Sequence, residues 1–268
     1  MKKLVLALSA VAAFTGSAIA ADLPARTYSK APAPVAYAPS WTGCYVGGGG
    51  GYGMWNQENT IFDDTTVPRT LLASTSTTGG RGYFGTVQAG CDYQFGLGSY
   101  NLVVGGFGDY DFSSLKGKLN PSGFGAVGDE KMSSAWAVGG RIGVLVTPNL
   151  LTYFSGGYTQ ATFDRTDFVV GDVFQQFPIG TPTGLFIDKR TYNGWFLGGG
   201  DEYALNFLPG LFWKTEYRLS EFDVQTNPLI STSVGPIGNS FDSKKWVQTI
   251  RSELTYHFNW GGPVVAKY

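Results

Sequence analysis

The chain has 268 residues, with 19 Lys+Arg against 20 Asp+Glu and a formal net charge of -1. Charged residues make up only 15%, well below the roughly 25% of an ordinary soluble domain, whereas aromatic residues also reach 15%. One histidine and two cysteines exclude a Cys-rich zinc site and disfavour catalysis that needs several histidines. The near-neutral charge gives no reason to expect nucleic acid as a partner.

Residues 1–20 have the organisation of a secretory signal peptide. Two lysines at 2–3 precede an apolar stretch at 4–14, and Ala-Ile-Ala at 18–20 fits the small-x-small cleavage pattern. The apolar stretch is too short for a typical membrane-spanning helix. We therefore expect an exported protein whose mature chain begins at Ala21.

Residues 21–40 contain four prolines among alanines and a few polar residues. This composition favours extended, unpaired chain. We interpret the segment as a periplasmic linker that leads into a folded domain at 41–258, with residues 259–268 as a C-terminal tail.

Residues 41–258 alternate between apolar and polar side chains over eight segments. In the last segment Ile250 and Leu254 share one parity, whereas Arg251 and Glu253 share the other. This period of two is the mark of a β-strand with two different faces. A soluble sandwich or lipocalin-like barrel would alternate in the same way.

The connections between these segments alternate in length. Short connections fall at 96–99, 148–150 and 206–209, and long ones at 58–78, 117–132, 167–187 and 227–243. This rhythm is typical of outer-membrane barrels, and strands of more than ten residues support it. We predict an all-β fold, an eight-stranded antiparallel up-and-down transmembrane β-barrel, with its long loops outside the cell.

Charged residues occupy the inward parity of several strands. An unpaired buried charge costs several kcal/mol, and an eight-stranded barrel is just wide enough to be filled by side chains. We therefore predict a structural salt-bridge network inside the barrel; the alternative is a narrow or gated ion path. The network comprises Asp109, Arg141, Glu202, Glu216, Arg218, Arg251 and Glu253, with Asp92, Asp111 and Lys214 on the same parity.

The two cysteines fall on neighbouring strands. If the first two strands form a hairpin in which Cys44 faces Cys91, then Trp41 faces Gln94 and Gln57 faces Thr78, which are the predicted strand limits. Directly opposed residues lie within reach of a disulfide, and the periplasm is oxidising. We predict this disulfide; the alternative is two small apolar residues on the lipid face.

Several motifs resemble the RopB-type outer-membrane immunogenic protein family. They are Trp41-Thr42-Gly43-x-Tyr45-Val46-Gly47, Gln88-Ala89-Gly90-x-Asp92-Tyr93-Gln94, Gly140-Arg141-Ile142-Gly143, Glu202-Tyr203-Ala204-Leu205 and Glu216-Tyr217. The resemblance implies an eight-stranded barrel, OmpA-like in architecture, without a peptidoglycan-binding domain. The chain departs from the family pattern at Phe107, where an inward Glu is frequent, at Asp201, which has the lipid-facing parity, and in the tail beyond Phe258.

The resemblance implies a location in the outer membrane, with lipid and lipopolysaccharide as surroundings. It also implies delivery by the outer-membrane assembly machinery, which reads a terminal aromatic signal. We assign that signal to Tyr256 and Phe258, with Tyr268 as a competitor. We expect a monomer.

We predict a structural role in envelope integrity, with the loops as surface antigens. The alternative is a small pore or a surface barrel that binds a haem-type ligand. We expect no cofactor and no metal, because the long loops contain no Tyr, His or Cys to ligate haem. Their net charge of about -5 gives no reason to expect that they bind anionic lipopolysaccharide.

An enzyme is disfavoured. The single histidine, His257, is placed at the periplasmic rim rather than at the outer rim. The glycine run 47–51 is followed by no helix and so does not fit a phosphate-binding loop. We therefore predict no catalytic residue.

Overall fold

The computed structural model of the protein describes residues 39–120, 124–171 and 177–258. The predicted signal peptide, nearly all of the predicted linker and the tail at 259–268 lie outside the described residues. The strands are β1 (Gly43–Asp63), β2 (Thr70–Leu97), β3 (Tyr100–Leu119), β4 (Ala126–Thr147), β5 (Leu150–Phe163), β6 (Thr166–Val170), β7 (Pro182–Ile187), β8 (Arg190–Ala204), β9 (Leu211–Ser231) and β10 (Gly235–Phe258). Over these ranges, no helix has the length and apolar character needed to cross a membrane.

Eight of the strands form a closed antiparallel ring in the order β1, β2, β3, β4, β5, β8, β9, β10. The ring closes because β10 pairs with β1 along its length, from Cys44 with Phe258 to Asp63 with Asn239. Closure leaves no strand edge whose backbone N–H and C=O groups would lack hydrogen-bond partners in lipid. The predicted eight-stranded antiparallel barrel is confirmed.

The two faces of the wall follow the predicted alternation. Along β10, Arg251 and Glu253 point inward and are buried, whereas Ile250 and Leu254 point outward with 62% and 52% of their surface exposed. Such an outward apolar band is what a strand needs to pass through hydrocarbon.

The prediction of four long loops is wrong, because three of these segments are largely paired strands. β1 continues to Asp63 and β2 begins at Thr70, so the first connection spans only 64–69. The last connection shrinks in the same way to 232–234. Beyond the lipid these extensions no longer need an apolar face, so the alternation fades although the backbone pairing continues. We call this end of the barrel the hairpin end, and the opposite end, with turns at 98–99, 148–149 and 205–210, the turn end.

The third predicted loop, 167–187, contains the two short strands β6 and β7. β6 pairs with residues 126–128 of β4, and β7 pairs through Leu185 and Phe186 with β9. These strands extend the wall past the ends of β5 and β8. They help to enclose an apolar cluster at the hairpin end, which comprises Ile61, Leu119, Ala126, Phe168, Ile187, Leu229 and Phe241.

Candidate functional site: the barrel interior

The turn-end half of the interior is organised around Arg141. Its Nε donates to Asp92 Oδ1 at 2.9 Å, and its Nη1 donates to Glu202 Oε2 at 2.7 Å. Glu202 also accepts a hydrogen bond from Thr255 at 2.6 Å and lies 3.1 Å from the ring nitrogen Nε2 of His257. One guanidinium thus joins carboxylates from β2 and β8.

The middle of the barrel is crossed by a second arginine cluster. Arg218 donates two hydrogen bonds to Asp109, at 3.1 and 2.8 Å, and one from Nε to Glu216 at 2.8 Å. Arg251 donates to Asp111 at 3.0 Å and lies 3.5 Å from Asp109. A carboxylate shared by two cations connects β3, β9 and β10 through their side chains.

Lys214 connects the arginine clusters to Glu253. Its Nζ lies 3.6 Å from carboxylate oxygens of both Glu216 and Glu253, and it donates to Gln88 Oε1 at 2.8 Å. Gln88 in turn donates to Glu253. All seven residues of the predicted network therefore lie inside the barrel, each with an ionic partner within 4 Å.

Sequence reasoning missed a further buried ion pair nearer the hairpin end. Lys245 Nζ lies 2.7 Å from Glu130 Oε1, and Gln57 donates to the other oxygen of this carboxylate at 2.6 Å. The ammonium group lies 4.2 Å from the ring centroid of Phe163 and 4.9 Å from that of Tyr192. Lys245 shares the inward parity of Arg251, which is the signal in the sequence that points to it. The sequence predicts Glu130 in the loop 117–132 instead of on a strand.

Apolar layers separate and cap these polar clusters. The layer around the lysine pair includes Trp55, Phe84, Leu115, Met132, Phe163 and Phe222. The Phe107 ring points inward, and its centroid lies 5.4 Å from Lys214 Nζ and 5.6 Å from the guanidinium carbon of Arg218. The barrel interior is therefore filled by an aromatic ring at this position, and the ring faces two cations.

Trp41 fills the turn end of the barrel. Its ring is fully buried and packs against Phe212 with centroids 4.7 Å apart, and its Nε1 donates to the carbonyl oxygen of Pro148 at 3.2 Å. Val103 and Leu151 belong to the same buried cluster. The interior is thus packed at this end too.

Charge inside the wall is close to balanced. The buried charged side chains of the described residues comprise seven carboxylates and five Lys or Arg, with His257 beside Glu202. Interleaved opposite charges of this kind stabilise one another and leave little field to select ions. The site is therefore a nearly balanced set of buried ion pairs.

The cysteines and the C-terminal aromatics lie on the outward face near the turn end. Cys44 stands directly opposite Cys91, and their sulfur atoms are bonded. The register of β1 and β2 also places Gln57 opposite Thr78, as predicted. Tyr256 and Phe258 point outward with ring centroids 5.3 Å apart.

The outward Asp201 on β8 has a polar neighbour. It stands opposite Thr152 on β5, whose hydroxyl donates to its carboxylate at 2.6 Å. In the described ranges, no group of three or more His, Cys, Asp or Glu side chains is arranged to hold a metal ion.

Comparison with known proteins gives one clear pair of relatives. The chain is 32% identical over 269 aligned positions to the 31 kDa outer-membrane immunogenic protein of Brucella melitensis, with 96% of this chain and 100% of that protein covered. The match to the Brucella suis protein of the same name has the same identity and coverage. No family model matches the chain.

Solved structures with a similar fold are outer-membrane proteins of low sequence identity. OprG from Pseudomonas aeruginosa aligns with a TM-score of 0.45 at 11% identity, covering 83% of this chain and 100% of that one. Ail of Yersinia pestis aligns with a TM-score of 0.33 at 12% identity, covering 80% and 99%.

Proposed function

Because the chain belongs to the family of outer-membrane immunogenic proteins, which places it in the outer membrane, we propose that it is a structural barrel of that membrane. In this role it supports the integrity of the envelope and presents its hairpin end outside the cell as an antigen. The observation that carries the proposal is the filled interior. Three buried ionic clusters alternate with layers of packed apolar side chains, which supports a filled interior.

A transport function would need a different interior. Conducting barrels hold water between charged side chains, whereas Asp109 here is shared by two arginines, one of which lies over the rings of Phe107 and Phe196. A catalytic function would need a nucleophile or base in an open cleft. His257 is buried between Tyr45 and Phe212 instead. We therefore propose no enzymatic activity.

The proposed partners follow from the location. Lipid and lipopolysaccharide surround the wall. The assembly machinery reads the outward aromatics Tyr256 and Phe258 at the end of β10, where they are placed to be recognised before the barrel closes. The closed ring leaves no strand of the membrane wall unpaired, which supports a monomer.

The test is deletion of the gene with two readouts in the same strain. We expect greater sensitivity to detergent, because a packed barrel contributes to the envelope, together with unchanged uptake of small solutes. A plasmid copy of the wild type should restore detergent resistance. Loss of solute uptake with unchanged detergent resistance would contradict the structural role and favour a pore.

A further inference from the structure

Three cations form a row across the outward face of β2, β3 and β4. The register places Arg81 directly opposite Lys116, and Lys116 directly opposite Lys131. All three side chains point away from the interior, and the first two are exposed. Since neighbouring strands lie about 4.8 Å apart, the three charges are anchored within roughly 10 Å along the wall. We call Arg81, Lys116 and Lys131 the cation row.

Two members of the cation row, Arg81 and Lys116, have no carboxylate partner among the described residues. Like charges directly opposite each other destabilise a sheet, and no carboxylate of the described residues lies within 4.0 Å of Arg81 or Lys116. Lys131 has only a long contact of 3.7 Å with Asp164. The other acid nearby, Asp129, is 2.8 Å from Lys118. Arg81 and Lys116 therefore carry positive charge that no carboxylate of the described residues pairs with, beside the weakly paired Lys131.

The position of the row matches the boundary between membrane and water. From the row toward the turn end, the next large outward side chains on the three strands are Tyr83, Phe112 and Trp136, and all three are exposed. Outward aromatic rings mark the interface on each side of a membrane barrel. The cation row thus lies just beyond this belt, at the level of lipid headgroups.

We propose that the cation row binds a phosphate group on the headgroup of a phosphorylated glycolipid in the outer leaflet. Phosphate offers several oxygens to an arginine fork and to lysine ammonium groups at once, and basic clusters beside a membrane wall bind lipid phosphates. Free inorganic phosphate has the same chemistry. The site nevertheless favours a lipid, because acyl chains can lie along the apolar wall directly below the row.

The proposal rests on the outward orientation of the hairpin end, which is tested separately by surface labelling. The net charge of the predicted loops does not reveal the cation row, because Arg81 and Lys116 belong to the wall rather than to any predicted loop. Only the register of three strands brings the cations together.

The test compares binding of lipid A with and without its phosphate groups to the purified barrel in detergent, by native mass spectrometry. The test variant is Arg81→Gln/Lys116→Gln. The matched control is Lys189→Gln/Lys244→Gln, which removes one exposed and one half-buried cation from the hairpin end outside the row; Lys244 is paired with Glu221 at 2.7 Å. Both variants lose the same charge.

We expect the wild type and the control to prefer phosphorylated lipid A, and the test variant to bind it about 20-fold more weakly, since each cation near an anionic membrane surface contributes roughly fivefold. The thermal midpoint gives a second readout. Without phosphate, the test variant should melt at or above the wild-type temperature, because the repulsion between the two cations is relieved. Phosphorylated lipid A should raise the wild-type midpoint more than that of the variant.

Three results would overturn the proposal. Equal affinity of the wild type for the dephosphorylated lipid would show that phosphate is not recognised. An equal loss in the control variant would show that only total charge matters. An equal rise of the midpoint with inorganic phosphate alone would assign the row to a free anion rather than to a lipid. If the double variant does not fold, Arg81→Gln and Lys116→Gln alone should each weaken lipid binding about fivefold.

Discussion

Arg251 is the residue on which the central network depends most. Its guanidinium contacts Asp111 and lies within 4 Å of Asp109 and Glu253, and it is almost fully buried. Replacing it with alanine leaves Asp111 buried without a cation, whereas Asp109 keeps Arg218 and Glu253 keeps Lys214. We expect Arg251→Ala to lower the free energy of unfolding by about 3–5 kcal/mol, measured by urea titration of the folded barrel in detergent.

The control for this prediction is Arg69→Ala. Arg69 binds Asp242 at 3.0 Å on the outside of the hairpin end, and its side chain is 42% exposed. An exposed pair contributes at most about 1 kcal/mol. Equal losses in the two variants would contradict a special role for the buried network.

The lysine pair gives a second prediction at this scale. Lys245→Met should destabilise the barrel, because it leaves Glu130 buried without its cation, by about 3–5 kcal/mol. The double variant Lys245→Met/Glu130→Gln removes both charges and should recover most of this loss, since packed neutral residues can replace a buried ion pair. Urea titration of both variants measures the difference. A double variant as unstable as the single one would show that packing, and not charge, is the cause.

Single side chains were predictable from sequence where the strand parity was clear. Arg141, Arg218 and Arg251 lie on strands with strict alternation, so their inward direction could be predicted. Glu130 lies where β3 and β4 leave the membrane band, and there the apolar parity that would have placed it is absent. Phe107 could be placed inside, but only coordinates show its ring facing Lys214 and Arg218.

At the scale of elements, the β1–β2 hairpin is held both by backbone pairing and by a covalent cross-link. Its register predicts a disulfide between Cys44 and Cys91 in the exported protein. The enclosed separation of 47 residues corresponds to a stabilisation of about 4 kcal/mol on the chain-entropy model. Alkylation of the unreduced protein followed by mass measurement should show no modified thiol. Two modified thiols would contradict the prediction.

The hairpins also define the orientation of the barrel. An epitope tag inserted after Thr66 or Val234, both at turns of the hairpin end, should be reached by antibody on intact cells. A tag at Ser99 or Asn149, in the short turns, should be reached only after the outer membrane is permeabilised. Labelling of a short turn on intact cells would reverse the orientation.

The number and order of membrane strands were predictable, because lipid imposes an apolar face on each of them. The strand extension at 70–78 and the strands β6 and β7 could not be predicted from the sequence. They lie where no lipid enforces alternation, and β6 and β7 are held by pairing with β4 and β9. Contacts so distant along the chain leave no local pattern.

At the scale of the whole molecule, the proposed structural role depends on how the interior is filled. Ion pairs connect the polar side chains of facing strands. Apolar layers lie between these clusters and at both ends of the barrel. Trp41 packs into the turn end, and the cluster around Phe168 and Phe241 lies at the hairpin end. The apolar side chains buried in these layers stabilise the barrel as they stabilise the core of a soluble protein.

Planar-bilayer recording of the purified, folded barrel tests this account most directly. The filled interior predicts a current indistinguishable from that of the protein-free bilayer, with at most brief and irregular openings. A general porin reconstituted in the same way serves as the positive control. Steady, large, ohmic openings from the wild-type barrel would contradict the structural role and establish a pore.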